Sequence, residues 1–238
     1  MRWDINCDLG EGEPVARTRS LMRWVTSANV ACGGHAGDVP TMERCVLLSV
    51  RHGVRLGAHP GCPTGFGRGS VSVEVPAFER LLLHQVGALQ AVARACRVRL
   101  HHVKLHGSLY HEVERNAPLR ATYLESMSRW FPGVKVFALA GGMVAAEAQR
   151  FGVTVWEEGF LDRGYRDDGT LVPRGEPNAL LTGVGPRRER LERLRDGGDL
   201  LSVDGRPVTV RPRTLCVHGD SPDSIALARL ARRMLLPG

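Results

Sequence analysis

Seven short apolar segments, each ending in a polar or glycine-bearing break, constrain this chain more than any other feature. They cover residues 2–7, 27–32, 54–59, 100–106, 134–140, 153–156 and 214–217. Between them, apolar side chains recur at helical spacing over residues 21–25, 41–52, 76–96, 119–131, 143–151 and 223–235. Strands that alternate with helices pair in parallel and leave the helices outside the sheet. Local chemistry agrees with the boundaries: Asp38-Val39-Pro40 reads as a helix start, Gly53 as a helix stop and Pro76 as a helix entry. A long polar excursion interrupts the alternation before the last strand, with turn signals at Asp168-Gly169 and Pro173. Residues 200–210 within it read as a hairpin turning on Asp204-Gly205.

In parallel α/β folds, ligands bind at the carboxyl ends of the strands. Six of the seven predicted strand ends carry ionisable side chains: Asp8 and Glu11; His35 and Asp38; His59; Lys104 and His106; Glu157 and Glu158; His218 and Asp220. The fifth ends in Gly141-Gly142. Four of the nine histidines fall at strand ends, a concentration that points to an active site on one barrel face. The stretch 27–38, SANVACGGHAGD, shows the pattern in miniature: a buried strand, a paired-glycine break, then His35 and Asp38. Three chemistries fit. His35, His59 and His218 with Asp8 or Asp38 can ligate a divalent metal that activates water. A carboxylate–histidine pair, Asp38 with His35 or Asp220 with His218, can serve as a metal-free general base. Lys104 with His106 can bind phosphate or steady an oxyanion. Asp38 also reads as a simple helix cap, and Gly141-Gly142 as either a phosphate cradle or a packing contact.

Composition narrows the alternatives. The chain has 238 residues, 43% of them hydrophobic and 24% charged, which suits a soluble α/β barrel or one to two ordinary domains. Its net charge of +7 invites a nucleic-acid reading. The densest basic run, residues 186–195, instead interleaves acids at helical spacing without aromatic residues, as a solvated helix face does. Only Lys104 and Lys135 among the 32 basic residues are lysines, so a lysine at a strand end is a choice of a compact ammonium over a planar guanidinium. The six cysteines form no CxxC pair and read as reduced, buried small residues. No Gly-x-Ser-x-Gly elbow, Walker A loop or dinucleotide fingerprint occurs. The N-terminus carries no signal-peptide pattern and no apolar run is long enough to span a bilayer, which implies a cytoplasmic protein.

Assembled in order, the motifs resemble the LamB/YcsF family. The likeness rests on residues 4–11 (DINCDLGE), 27–38, 57–60 (GAHP), 66–68 (FGR), 102–110 (HVKLHGSLY), 157–165 (EEGFLDRGY), 171–174 (LVPR) and 216–220 (CVHGD). Leu105, His111, Gly34 and Cys62 depart from the usual family residues and bear on pocket shape. The resemblance implies a single domain over residues 1–238, a seven-stranded parallel β/α barrel of the glycoside hydrolase/deacetylase type. It also implies cleavage of 5-oxo-L-proline to L-glutamate with ATP and Mg²⁺, in company with the B and C subunits of 5-oxoprolinase (PxpB and PxpC). On that reading Asp8, His35, Asp38, Lys104, His106 and His218 are the catalytic candidates. Asn6, Glu11, Asn29, His59, Arg68, Tyr110, Glu158, Asp162, Arg163, Tyr165 and Asp220 are candidates for substrate contact, with Lys104 and Arg163 steadying phosphoryl or carboxylate charge. A metal on Asp8, His35, His59 and His218 stays open. So do a metal-dependent deacetylase or amidohydrolase acting without ATP, and a non-catalytic substrate-binding subunit.

Overall fold

The computed structural model describes residues 3–63 and 73–236, so Phe66 and Arg68 of the family-like loop lie outside the described residues. The strands in chain order are β1 (Asp4–Leu9), β2 (Ser27–Ala31), β3 (Arg55–His59), β4 (His102–Lys104), β5 (Lys135–Leu139), β6 (Val155–Phe160), β7 (Leu200–Leu201), β8 (Pro207–Val208) and β9 (Thr214–Val217). Seven of them close a parallel barrel in the order β1-β2-β3-β4-β5-β6-β9, and β9 pairs back onto β1. β7 and β8 form the hairpin expected in the excursion. The helices are α1 (Val15–Met22), α2 (Val39–His52), α3 (Val75–Ala95), α4 (Ser108–Arg115), α5 (Ala117–Trp130), α6 (Met143–Glu147), α7 (Val184–Arg195) and α8 (Ser224–Leu235), with a 3₁₀ turn (Ala148–Phe151) after α6. Among the described residues no helix is long and apolar enough to cross a membrane.

Helix ends follow the local chemistry. Asp38 caps α2 by accepting from the Thr41 N–H at 2.8 Å, and Gly53 ends that helix in the left-handed region at φ 64°. Asn116 accepts from the Leu119 N–H at 3.1 Å and so starts α5. That cap explains α4, a helix that apolar spacing alone does not mark: Leu109, Tyr110 and Val113 give it one buried face, and Asn116-Ala117-Pro118 separates it from α5. β6 runs past the predicted end, so Glu158 lies inside the strand rather than beyond it. The basic run of α7 is solvated on one side only. Arg188 pairs with Glu192 at 3.2 Å and Arg193 with Glu189 at 3.0 Å on that side. Arg187 and Arg190 are buried, donating to the carbonyls of Leu181 and of Phe160 and Arg163.

Strand alternation divides the protein into an apolar shell and a polar interior. Ile5, Cys7 and Leu9 of β1 join Ala28, Val30, Leu56, Ala58, Val103, Val136, Leu215 and Val217 in the core beneath the helices. Phe78, Leu82, Val86 and Leu89 of α3 complete it, each such side chain stabilising the fold by about 1.5–3 kcal/mol. The intervening residues Asp4, Asn6 and Asp8 bond across the barrel instead. At the amino end of the strands, Trp156 closes the barrel under three cations, with Arg213, Arg55 and Lys135 at 4.0, 5.4 and 5.7 Å from its ring centre.

One glycine makes the interior possible. A Cβ on Gly57 would stand 2.1 Å from the His102 imidazole, which stacks on Phe137 at 3.8 Å and donates to Asn29 Oδ1 at 2.6 Å. His102 therefore has no room to retreat. Gly57→Ala is expected to cost about 1–3 kcal/mol in urea unfolding, and the double variant with His102→Ala should recover part of that loss. An unchanged midpoint in the single variant would contradict this packing.

Candidate active site

The carboxyl end of the barrel grows out of a hydrogen-bonded polar column. Asp4 accepts from Ser27 Oγ at 2.7 Å and Arg55 at 2.9 Å, with Thr214 also donating to it. Asn6 Nδ2 donates to Thr214 Oγ1 and to Glu158 Oε1, both at 2.8 Å. Asn29 Nδ2 donates to Asn6 Oδ1 and to Asp8 Oδ1, both at 2.7 Å, while its own Oδ1 takes the His102 proton. Buried polar groups are tolerated when each has a partner, and such a network fixes one arrangement of its members.

Lys104 stands at the top of this column. Its Nζ lies 3.0 Å from Asp8 Oδ1, 3.1 Å from Glu158 Oε1, 3.1 Å from Cys216 Sγ and 3.4 Å from Asn6 Oδ1. Burial disfavours the ammonium, but the Asp8 and Glu158 carboxylates beside it outweigh that and hold the Lys104 pKa well above its ordinary value. The side chain is thus a permanent cation, not a base. Asp8 is opposed by burial but favoured by His59, Lys104 and His218, which keep its pKa well below the usual carboxylate range. Glu158, buried and beside Asp8, is pushed up. Burial also raises the Cys216 thiol well above its ordinary value. Tyr110 lies next to Glu158, and its phenol pKa is raised by burial and by that carboxylate. The Tyr110 hydroxyl and the Glu158 carboxylate interact with each other, and among the described residues neither the hydroxyl nor Glu158 Oε2 has a further hydrogen-bond partner.

Two further groups ring this cation. His218 donates from Nδ1 to both oxygens of Asp162 at 2.9 Å, which leaves Nε2 as the free, basic nitrogen. A ring nitrogen of His218 lies within 4.8 Å of an Asp8 oxygen and of the Cys216 sulfur. Burial opposes the Asp162 anion, but His218 reverses that and lowers its pKa. On the other side, Glu11 Oε1 lies 2.7 Å from His35 Nε2, 3.2 Å from His106 Nδ1 and 3.5 Å from His59 Nε2. His35 and His106 stack at 3.5 Å, and both meet His59 edge-on. His59 donates from Nδ1 to the Lys104 carbonyl at 2.7 Å, and burial lowers its pKa to about 4, so its ring is neutral.

The structure brings together Asn6, Asp8, Glu11, Asn29, His35, His59, Lys104, His106, Tyr110, Glu158, Asp162 and His218. It keeps others apart. Asp38 is an exposed helix cap, paired with neither His35 nor a metal group. Asp220 is exposed and bound to Arg174 at 3.3 Å; the carboxylate serving His218 is Asp162. Arg163 is buried with its guanidinium on the carbonyls of Val172 at 2.6 Å and Ala179 at 3.2 Å, so it braces the excursion. Tyr165 is fully buried and accepts the Phe160 N–H at 2.8 Å, again a brace. Of the set Asp8, His35, His59 and His218, His59 Nε2 lies 3.6 Å from Asp8 Oδ2, while His35 groups with Glu11, His59 and His106, and His218 with Asp8 and Cys216. The backbone N–H groups near Gly141-Gly142 are taken by the protein's own carboxylates: Glu157 accepts from Gly141 at 2.7 Å and Glu114 from Val144 at 3.1 Å. Strand-end position does not single out Asp4, His102, Thr214 or Cys216, although the family-like motifs 4–11, 102–110 and 216–220 begin on three of them. The alternation Asp4-x-Asn6-x-Asp8 in β1 is the signal that the barrel interior is polar.

Residues 3–237 match the LamB/YcsF family. The chain is 40% identical over 240 residues to a protein named as the A subunit of 5-oxoprolinase from Syntrophobacter fumaroxidans, covering 99% of this chain and 95% of that one. It is 37% identical over 237 residues to a protein of Bordetella pertussis that carries the same name, covering 98% and 94%. Its fold superimposes on the lactam utilization protein from Thermus thermophilus with a TM-score of 0.89 at 34% identity, covering 99% and 96%.

The Asp162–His218 pair has a pH signature. A carboxyl whose folded pKa lies below its unfolded value adds stability above the unfolded pKa and loses it as pH falls through the folded one. Asp162→Asn is therefore expected to destabilise the protein by about 1.5–3 kcal/mol near pH 7. The gap to the parent should narrow only below about pH 4. Urea unfolding across that range checks it; a gap independent of pH would remove the ionic role.

Proposed function

Because the chain belongs to the LamB/YcsF family, we propose that it is the A subunit of an ATP-dependent 5-oxoprolinase, opening 5-oxo-L-proline to L-glutamate. The names of its relatives support this role, and the observation that carries the chemistry is the buried Lys104 ammonium between Asp8 and Glu158. An unactivated lactam is a poor electrophile, and transfer of phosphate from ATP to its oxygen makes the carbonyl carbon attackable by water. Lys104, held charged in a water-poor wall, faces the negative charge that builds on the lactam oxygen or its phosphate. His218, its Nδ1 proton fixed on Asp162, offers Nε2 to take a proton from the attacking water. The Tyr110 hydroxyl and the adjoining Glu158 carboxylate supply a donor and an acceptor for the ring amide. The ATP–Mg²⁺ step belongs, on this reading, to the assembly of this chain with the B and C subunits, since the Gly141-Gly142 turn is filled by Glu114 and Glu157.

The test is glutamate release from 5-oxoproline with ATP and magnesium, using this chain alone and with its B and C partners. Turnover is expected only in the full mixture; none with folded, assembled partners would overturn the assignment. Within the active mixture, Lys104→Arg should lower turnover by about 10²–10³-fold, the loss seen when an oxyanion donor is misplaced. Its thermal midpoint separates that loss from misfolding, and near-parental turnover would take Lys104 out of the mechanism.

A further inference from the structure

We propose that Glu11, His35, His59 and His106 form a divalent-cation site at the barrel mouth, with a donor set matched to zinc. Three imidazole nitrogens and one carboxylate oxygen, all within 4.8 Å of one another, converge from the ends of β1, β2, β3 and β4. A tetrahedral ion with bonds of about 2.0–2.1 Å places its donors about 3.4 Å apart. Three of the separations already have that size: Glu11 Oε1 to His59 Nε2 is 3.5 Å, Glu11 Oε1 to His106 Nδ1 is 3.2 Å, and His106 Nδ1 to His59 Nε2 is 3.2 Å. His35 Nε2, at 2.7 Å from the carboxylate, must move outward, and the His35–His106 stack, with ring centres 3.5 Å apart, must open so that both rings face one ion.

The surroundings are those of a ligand set. His59 gives its Nδ1 proton to the Lys104 carbonyl, so Nε2 presents a lone pair to the other three side chains, the arrangement that orients metal-bound histidines. Gly61 supplies the space: a Cβ there would stand 2.6 Å from His35 Nδ1 and 2.9 Å from the His106 Cβ. One carboxylate with three imidazoles suits a borderline divalent ion such as zinc better than magnesium or calcium, which prefer oxygen. The second cluster, Asp8–Cys216–His218, does not compete, because Lys104 Nζ already lies 3.0 Å from Asp8 and 3.1 Å from Cys216 Sγ and repels a cation. An ion held by Glu11 and the three histidines would have its four tetrahedral positions filled by the protein and would add a second positive charge to the mouth. The site does not depend on the oxoprolinase assignment.

Chelator-stripped full-length protein titrated with zinc chloride tests it. Calorimetry should give one equivalent, with a raised thermal midpoint, and cobalt chloride should give visible absorption of tetrahedral intensity. Glu11→Gln and His106→Gln should each weaken binding by more than the roughly tenfold that a lost outer-shell partner costs, with the metal-free midpoint within a few degrees of the parent. Should these two variants unfold, His35→Gln and pH-matched cobalt spectra of the parent decide the same point. No stoichiometric binding by the parent, or binding unaltered in folded variants, would overturn the site, as would loss of binding in Cys216→Ser alone.

Discussion

A single ammonium inside a closed barrel sets the terms for the rest of the protein. An unpaired charge taken out of water costs many kcal/mol, and breaking one half of a buried pair costs about 3–5 kcal/mol. Lys104 therefore requires anions and acceptors around it, and Asp8, Glu158, Asn6 and Cys216 provide them. Those groups need partners in turn. Asn29, Thr214 and His102 satisfy them, and the chain of bonds continues down to Asp4 and Arg55 at the far end. The polar column exists because one charge was placed at its top.

The scaffold tolerates such a column by keeping its two kinds of surface separate. Period-two alternation sends Ile5, Cys7 and Leu9 outward to the helices and Asp4, Asn6 and Asp8 inward. Hydrophobic stabilisation comes from the outer layer, so the inner layer is free to carry chemistry. The excursion between β6 and β9 is fastened in a different way. Arg163 and Arg190 hold backbone carbonyls, and Tyr165 holds the Phe160 N–H. Guanidinium groups suit that task because a rigid fork of donors can satisfy several carbonyls at once. This fastening also positions Asp162, and through it the free nitrogen of His218.

The mouth thus divides into a half built around Lys104 and a half built around Glu11. Around Lys104, charges are matched within about 3 Å and the protonation states are pinned: a charged lysine, an ionised Asp8, a neutral thiol. Around Glu11, three imidazoles converge on one carboxylate oxygen. The first half can stabilise negative charge and move a proton; the second has donors suited to something positive. The carbonyl of Lys104 ties the halves together by receiving the His59 proton.

The β/α alternation, the strand ends rich in His, Asp and Glu, and the choice of lysine over arginine at Lys104 were all legible along the chain, because periodicity and local caps are properties of neighbouring residues. Which acid serves which base was not. Asp38 and Asp220 stand beside His35 and His218 in sequence, yet one caps a helix and the other sits on Arg174, while Glu11 and Asp162 reach the two rings from other strands. Closure of the barrel decided this, since it brings the ends of β1, β4, β6 and β9 within a few ångströms across the interior. Closure also turned Lys104 into a permanent cation rather than a base, because the carboxylates that hold its proton come from strands 96 and 54 residues away. Residue type and spacing determined what chemistry the chain could carry; the through-space distances of the tertiary structure determined the partners, and with them the protonation states.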